Sequence, residues 1–268
     1  MAQTATSVIP RRMLLAGLVI GAVIAAIAYG RAQNNLDVVY VPTPAETVNR
    51  MLDVTEVGPK DYVIDLGSGD GRIAIAAGRR GARALGVELD PDRLSEAEAN
   101  LKRAGVADRV SFRRQNLFET DLSQATVLTM YLLPSINLKL RPRILELRPG
   151  TRVVSHDFAM GDWKPDLTET VNWRIHFWVV PARVAGSWTV LSGNQSFGLT
   201  LTQTFQEFRG TATIDGRPVP LRDTKLRGGE IDFTVDSGGR STRFRGAVTG
   251  DSMQGSGGAG VQWSAKRS

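Results

Sequence analysis

The 268-residue chain contains no cysteine. Disulfides, thiolate nucleophiles and cysteine metal sites are therefore excluded, although the compartment is not fixed by this. Histidine is nearly absent too: His156 and His176 are the only two, too few for a histidine-based zinc site. Nor is there a dense basic stripe with interleaved aromatics. The net charge is +6, and most of the surplus falls from Arg183 onward, as arginines scattered among acids. That texture describes a solvated surface, so nucleic acid is not an expected partner. Weak attraction to anionic lipid remains compatible with it. Apolar content of 42% and charged content of 22% are ordinary for a globular chain. The length allows one large domain or two modest ones, each with a real core.

An apolar run without charges spans Met13 to Tyr29, flanked by Arg11, Arg12 and Arg31. At about 17 residues it meets the lower limit for a spanning helix. It also has the layout of a signal peptide, with a basic start and small residues at Ala26-Ile27-Ala28. A retained single-pass anchor is the first expectation, and a cleaved signal the alternative. The heavier positive charge before the run would place the domain after it outside the cytoplasm. Residues 1–36 thus read as a membrane-targeting segment and linker.

Val38 to Pro44 (VVYVPTP) is apolar and twice broken by proline, which predicts an extended segment. Helical spacing follows over Glu46 to Val54. From Asp61 strands and helices alternate. Strands are predicted at Tyr62–Leu66, Ala84–Glu88, Arg109–Arg114, Thr126–Leu132 and Arg152–His156. Helices are predicted at about 71–80, 91–104 and 137–147. Crossovers of this size imply a parallel, Rossmann-like α/β sheet. Asn172 to Val180 comes next without a long helix and is expected as a late antiparallel strand closing the sheet edge. Residues 37–182 form this domain.

After Pro181 the helical period vanishes. Short alternating runs cover Trp188–Leu191, Phe197–Thr204, Glu207–Ile214, Val219–Leu226, Glu230–Val235, Thr242–Val248 and Gly260–Ala265. Turn pairs such as Asp215-Gly216 and Gly238-Gly239 separate several of them. An antiparallel meander or small barrel is expected over 183–268. The glycine-rich patch Gly255 to Gly260 reads as a mobile loop, since no helix comes after it.

The chemistry concentrates at YVIDLGSGDGR, Tyr62 to Arg72. Glycines at a strand-to-helix turn let backbone approach a ligand, and the helix N-terminus offers free N–H groups. A dinucleotide site needs Gly-x-Gly-x-x-Gly. Here Gly67, Gly69 and Gly71 alternate, with Asp65 on the strand and Asp70 in the turn. Acids there would repel a pyrophosphate and suit a cationic group. S-adenosyl-L-methionine carries a sulfonium and an α-amine and no phosphate. Glu88, at the end of the second strand, is placed to accept from ribose hydroxyls. Asn116, after the third strand, can pair with adenine, or is simply a turn residue.

The order acid-x-Gly-x-Gly-x-Gly, then acid, then polar residue resembles class I S-adenosylmethionine-dependent methyltransferases. YVPTP, VIDLGSGDGR, VELD, LFETDL, YLLPS and HDFAMGDWKPD together resemble one family more closely. It is that of the membrane-anchored lysine methyltransferases of adenine nucleotide translocase and ATP synthase c subunit, with their bacterial relatives. The likeness spans Val38 to Pro181, and Asn116 departs from the aspartate that many methyltransferases carry. It implies that Asp65, Gly67, Ser68, Gly69 and Asp70 line the methionine end, and that Glu88 holds the ribose. It further implies that Tyr40 and Thr43 fold over the cofactor, and that Tyr131 and Pro134 shape the acceptor channel.

The expected function is S-adenosylmethionine-dependent N-methylation of a protein lysine, with a membrane protein as the candidate substrate. Transfer would be in-line, with positioning and desolvation supplying most of the catalysis. A small-molecule methyltransferase and a non-catalytic cofactor-binding scaffold are the alternatives. The YLLPS segment lacks the Asn/Asp-Pro-Pro-Tyr type used on adenine or glutamine amides, which argues against base methylation.

Overall fold

The structure is a computed structural model that describes residues 40–268. The apolar run Met13 to Tyr29, and with it the choice between anchor and cleaved signal, lies outside the described residues. Among the described residues, no helix is long and apolar enough to cross a membrane.

Tyr40 to Pro44 runs without regular structure into helix α1 (Ala45–Val54), which turns Val48, Met51 and Leu52 inward. Strand β1 (Tyr62–Leu66) leads through the glycine turn into α2 (Arg72–Arg79). Strand β2 (Arg83–Glu88) leads into α3 (Pro91–Ala104). The start of α3 is set by chemistry: Asp90 accepts from the Asp92 and Arg93 amides, and Pro91 occupies the first turn, where no N–H is needed. Strands β3 (Val110–Arg114) and β4 (Val127–Met130) come next, then α4 (Pro134–Ile144) and β5 (Arg152–His156). Helix α4 begins three residues before its predicted start, because Pro134 supplies a first-turn residue with φ already helical.

The first sheet has seven strands in the order β3-β2-β1-β4-β5-β7-β6. Strands β1 to β5 are parallel, and β7 (Trp173–Val179) runs antiparallel against β5. The late antiparallel strand was expected as the edge. Instead β6 (Leu167–Val171) is the edge, turning into β7 through Asn172 in a left-handed conformation. Sequence alternation does not reveal β6, because the strand is mostly exposed and carries no apolar stripe.

Val63, Val127, Val154 and Ile175 join α1, α2 and α3 in one core cluster. Side chains two residues further along a strand point to the same face. Asp65 and Thr129 therefore lie just beyond that core, in register with each other, with Tyr131 and His156 one step beyond them. Strand order reverses between β1 and β4, the place where open α/β sheets bind ligands.

The second sheet holds nine antiparallel strands: β8 (Gly186–Ser192), β9 (Gln195–Thr204), β10 (Glu207–Ile214), β11 (Arg217–Pro220), β12 (Arg222–Arg227), β13 (Glu230–Ser237), β14 (Arg240–Thr249), β15 (Ser252–Ser256) and β16 (Gln262–Arg267). It curls into a nearly closed barrel. The gap is spanned by Leu221 N–H donating to the Gly210 carbonyl at 2.9 Å and Thr224 Oγ1 donating to the Phe208 carbonyl at 2.8 Å. Trp188, Phe233, Phe244 and Trp263 fill the interior. The run predicted at Val219–Leu226 is two strands, broken at Leu221. The patch Gly255–Gly260 is not a loop throughout. Gly255 belongs to β15 and pairs with Gly246, leaving room for the Trp263 indole against the backbone.

The barrel is fastened by the β9–β10 turn. The ring of Phe205 stacks on that of Trp163, and Trp163 Nε1–H donates to Gln206 Oε1 at 3.0 Å. Gln206 returns a bond to the Lys164 carbonyl at 2.7 Å. Trp163 is fully buried, so the turn braces the segment after β5.

A Cβ at Gly255 would overlap the Arg245 carbonyl on the neighbouring strand. Gly255→Ala is expected to lower the unfolding free energy by roughly 1–3 kcal/mol through overpacking, measured by denaturant titration.

Candidate active site

The glycine turn folds back on β2. The amides of Gly67 and Ser68 both donate to the Val87 carbonyl at 3.0 Å. Gly69 has φ 52 and its Cα faces the Tyr40 ring, which a Cβ would overlap. Only glycine fits both constraints. Tyr40 thus lies over the turn, with the Arg93 guanidinium 4.8 Å from its ring centre.

Asp65 is almost wholly buried. Thr129 Oγ1 donates to its Oδ1 at 2.7 Å, while Oδ2 has no partner. Burial pushes this carboxyl up to about 7, helped by the Glu88 and Asp70 carboxylates and opposed by Thr129 and the Ala74 backbone N–H. Glu88 is held differently. Its Oε2 accepts from Gly69 N–H at 2.9 Å, and its Oε1 from Leu89 and Asp90 N–H at 2.8 and 3.0 Å.

Asp70 is not turned toward open space. Arg72 grips it through Nε at 2.9 Å and a terminal nitrogen at 2.6 Å, and another Arg72 nitrogen donates to the Thr43 carbonyl at 2.8 Å. Partial burial pulls the Asp70 carboxyl up, but the guanidinium outweighs it and holds the group below the usual range. The turn's two acids are therefore unequal: one is neutralised, and one keeps a free oxygen.

At the ends of β4 and β5, Tyr131 is half-buried and packs against His156 at a 35° tilt, centroids 3.9 Å apart. Phe158 stacks on Tyr131 at 6.2 Å, and Trp173 meets His156 edge-on at 5.7 Å. Burial, and behind it the Asp157 carboxylate, raises the Tyr131 phenol, so its hydroxyl stays protonated at neutral pH. Pro134 is exposed at the first turn of α4.

Tyr40, Thr43, Asp65, Gly67, Ser68, Gly69, Asp70 and Glu88 are brought together around the turn, and Tyr131 lies beside them. Asn116 is engaged elsewhere. Its Oδ1 accepts from Phe118 N–H at 3.0 Å and its amide reaches Glu119, so the side chain shapes its own loop. Sequence reasoning missed Arg72, His156, Phe158 and Trp173. The first comes directly after the glycine turn, His156 and Phe158 lie within the HDF stretch and Trp173 at the start of the late strand, so the sequence marked the places but not the contacts.

Among the described residues, four buried side-chain atoms lack a partner: Asp65 Oδ2, Ser68 Oγ, Asn137 Oδ1 and His156 Nε2. All four lie at the carboxyl end of the parallel strands, Asn137 in the first turn of α4. Such atoms are costly and rare in folded proteins. Their gathering at the switch point marks a site built for a ligand with hydrogen-bonding and cationic groups. Sheet order, glycine turn and strand-end acids together define a class I methyltransferase fold.

A family model described as the ANTKMT methyltransferase domain matches residues 65–167, ending ahead of the barrel. A protein-lysine N-methyltransferase of Saccharolobus islandicus (strain REY15A) is 49% identical over 129 residues, 47% of this chain and 80% of that protein. The adenine nucleotide translocase lysine N-methyltransferase of Mus musculus is 35% identical over 139 residues, 51% of this chain and 60% of that protein. The crystal structure of an RNA methyltransferase from Salinibacter ruber, in complex with S-adenosyl-L-homocysteine, is 54% identical. It covers 54% of this chain and 96% of that chain, with a TM-score of 0.53. The chain belongs to the ANTKMT methyltransferase family.

The Asp65 carboxyl has a sign-specific consequence. Its folded pKa is above the unfolded value, so between about 4 and about 7 the native state holds a proton that the unfolded state has lost. This group therefore subtracts stability as pH rises through that window. The difference in unfolding free energy, Asp65→Asn minus wild type, is expected to grow from pH 4 to pH 7 and then level off. Denaturant titrations across pH read it directly.

Proposed function

We propose that this chain is an S-adenosyl-L-methionine-dependent protein-lysine N-methyltransferase. The observation that carries the reading is the pair of unpartnered buried atoms at the glycine turn, Asp65 Oδ2 and Ser68 Oγ. A phosphate would meet an acid there, whereas a cationic methionine end meets a hydrogen-bond acceptor. The relatives named as lysine methyltransferases and the neighbour holding S-adenosylhomocysteine support the same choice.

Asp65, Ser68 and the backbone of Gly67 and Gly69 would hold the methionine end, and Glu88 the ribose. Three amides already fix the Glu88 carboxylate, which orients it before anything binds. Tyr40 and Thr43 would cover the cofactor. Asp70 acts through Arg72, fastening the covering segment to the turn. When bound, the cofactor supplies a methyl group already activated for in-line displacement. The protein then has to align a neutral amine and exclude water. Burial among Tyr131, Phe158 and Trp173 favours the uncharged form of a lysine. No dedicated base is assigned. Pro134 sets the start of α4 at the mouth of this channel.

The acceptor is inferred to be a protein with apolar surface around its lysine. Tyr40, Val41, Leu89, Leu133, Leu138 and Trp173 are large apolar side chains left exposed at the carboxyl end of the sheet. A membrane protein fits that rim, and the run Met13 to Tyr29 would serve to bring the enzyme to the same membrane. The neighbour named as an RNA methyltransferase raises an RNA acceptor as the second reading. An apolar rim and the absence of an aromatic-laced basic stripe favour protein.

The test is a labelled-methyl assay with membrane protein and total RNA as separate acceptors, followed by acid hydrolysis. Label is expected in methylated lysine, and label confined to RNA would overturn the acceptor assignment. Gly69→Arg is expected to abolish both cofactor binding and transfer, since the turn has no room for a side chain. Tyr131→Phe is expected to keep turnover within about threefold, while Tyr131→Ala loses about tenfold or more, because the ring rather than the hydroxyl walls the channel. Full turnover in both Tyr131 variants would remove that role.

A further inference from the structure

His156 ends β5 and is fully buried. Three neighbours converge on it. Thr43 Oγ1 lies 3.0 Å from Nδ1, the Tyr131 ring packs against the imidazole at a 35° tilt, and Trp173 meets it in a T-shaped contact. Nε2 has no partner. The next residue is strained: Asp157 takes φ 62, and Phe158 N–H donates across it to the His156 carbonyl at 2.8 Å. A one-residue turn at positive φ is rare for a side-chain-bearing residue and persists where its surroundings demand it. A histidine kept only to fill a core would satisfy both nitrogens or give way to an apolar ring.

The contacts have a direction. Thr43 belongs to the segment that lays Tyr40 over Gly69. Its carbonyl is held from the turn side by Arg72, and its hydroxyl from the strand side by His156. Tyr131 packs against the imidazole ring, and in the proposed function it walls the acceptor channel. His156 is thus the joint between the cover of the cofactor half and the wall of the acceptor half.

We propose that His156 is a positioning residue for methyl transfer, tying Thr43 and its segment closed over the glycine turn while backing the Tyr131 ring. The proposal rests on the methyltransferase reading of the site. Burial pushes the imidazole down to about 4 against the pull of Asp157, so the joint carries no charge at neutral pH to repel a sulfonium or an incoming amine.

The test is calorimetric titration of the full chain with S-adenosyl-L-homocysteine, with circular dichroism as the check on folding. Asparagine places its amide near the position of Nδ1, and glutamine near that of Nε2. Thr43→Val and His156→Ala are each expected to weaken binding about tenfold, as for a buried hydrogen bond whose partner is left unpaired. The double variant is expected to bind no worse than either single one, since both remove the same contact. His156→Asn is expected to restore binding and His156→Gln is not. Wild-type binding in both single variants, additive losses, or rescue by glutamine alone would overturn the proposal. Should His156→Ala fail to fold, Thr43→Val against Thr43→Ser decides, with rescue by serine expected and equal loss contradicting it. Failure of the wild type itself to bind would instead remove the methyltransferase reading beneath it.

Discussion

A buried carboxylate with one satisfied oxygen and one bare one sits at the end of the central strand. Thr129 donates to Oδ1 of Asp65, and Oδ2 has no hydrogen-bond partner. Leaving a buried polar atom unpaired costs about 1–3 kcal/mol, more when it is charged. The fold arranges its surroundings around that cost. Arg72 neutralises Asp70, and three backbone amides hold Glu88. Asp65, nearest the switch point, is thus the buried acid with an unpartnered oxygen. A site with this imbalance is poised for a cationic group, and stability is given up to keep it so.

The rest of the molecule makes that arrangement rigid. The core of Val63, Val127, Val154 and the inner faces of three helices fixes the strands up to the row of Asp65 and Thr129. Beyond that row the chain must use loops, and each is pinned. The N-terminal segment is held through Thr43 from two sides. The segment after β5 is held by Asn137, which donates to the Phe158 carbonyl at 3.1 Å, and by Trp163 locked beneath the barrel's Phe205 and Gln206. The barrel therefore contributes to the site without touching it, by bracing the stretch that carries Phe158. Its own interior is filled with aromatic side chains.

Much of this was legible in the sequence, for identifiable reasons. Strands β1 and β2 are short apolar runs followed by turn residues and a helix, and the helix after β2 has its own start signal at Asp90-Pro91. The alternate glycines could only belong to a tight turn, and positive φ at Gly67, Gly69 and Gly71 agrees. Strand β6 was not legible because its side chains are mostly solvated and leave no periodic trace. Gly255 read as loop because close backbone approach and flexibility both select glycine, and only the partner strand tells them apart. The pairing of Asp70 with Arg72 was hidden by adjacency. A neighbouring cation in sequence says nothing about whether it closes on the acid or points away. Likewise His156 looked like one of two stray histidines until Thr43, 113 residues earlier, was found against its ring.

The most direct measurement concerns the proton on Asp65. Its carboxyl is raised to about 7 in the free protein, and a cationic ligand against Oδ2 should force it to ionise. Calorimetric titration with S-adenosyl-L-methionine at pH 6, repeated in buffers of different ionisation enthalpy, counts the protons exchanged on binding. Release approaching one proton, absent in Asp65→Asn, is the result expected if this carboxylate is the counter-charge of the cofactor. Binding with no proton release in the wild type, or preferential binding of NAD or ATP over the methyl donor, would contradict it.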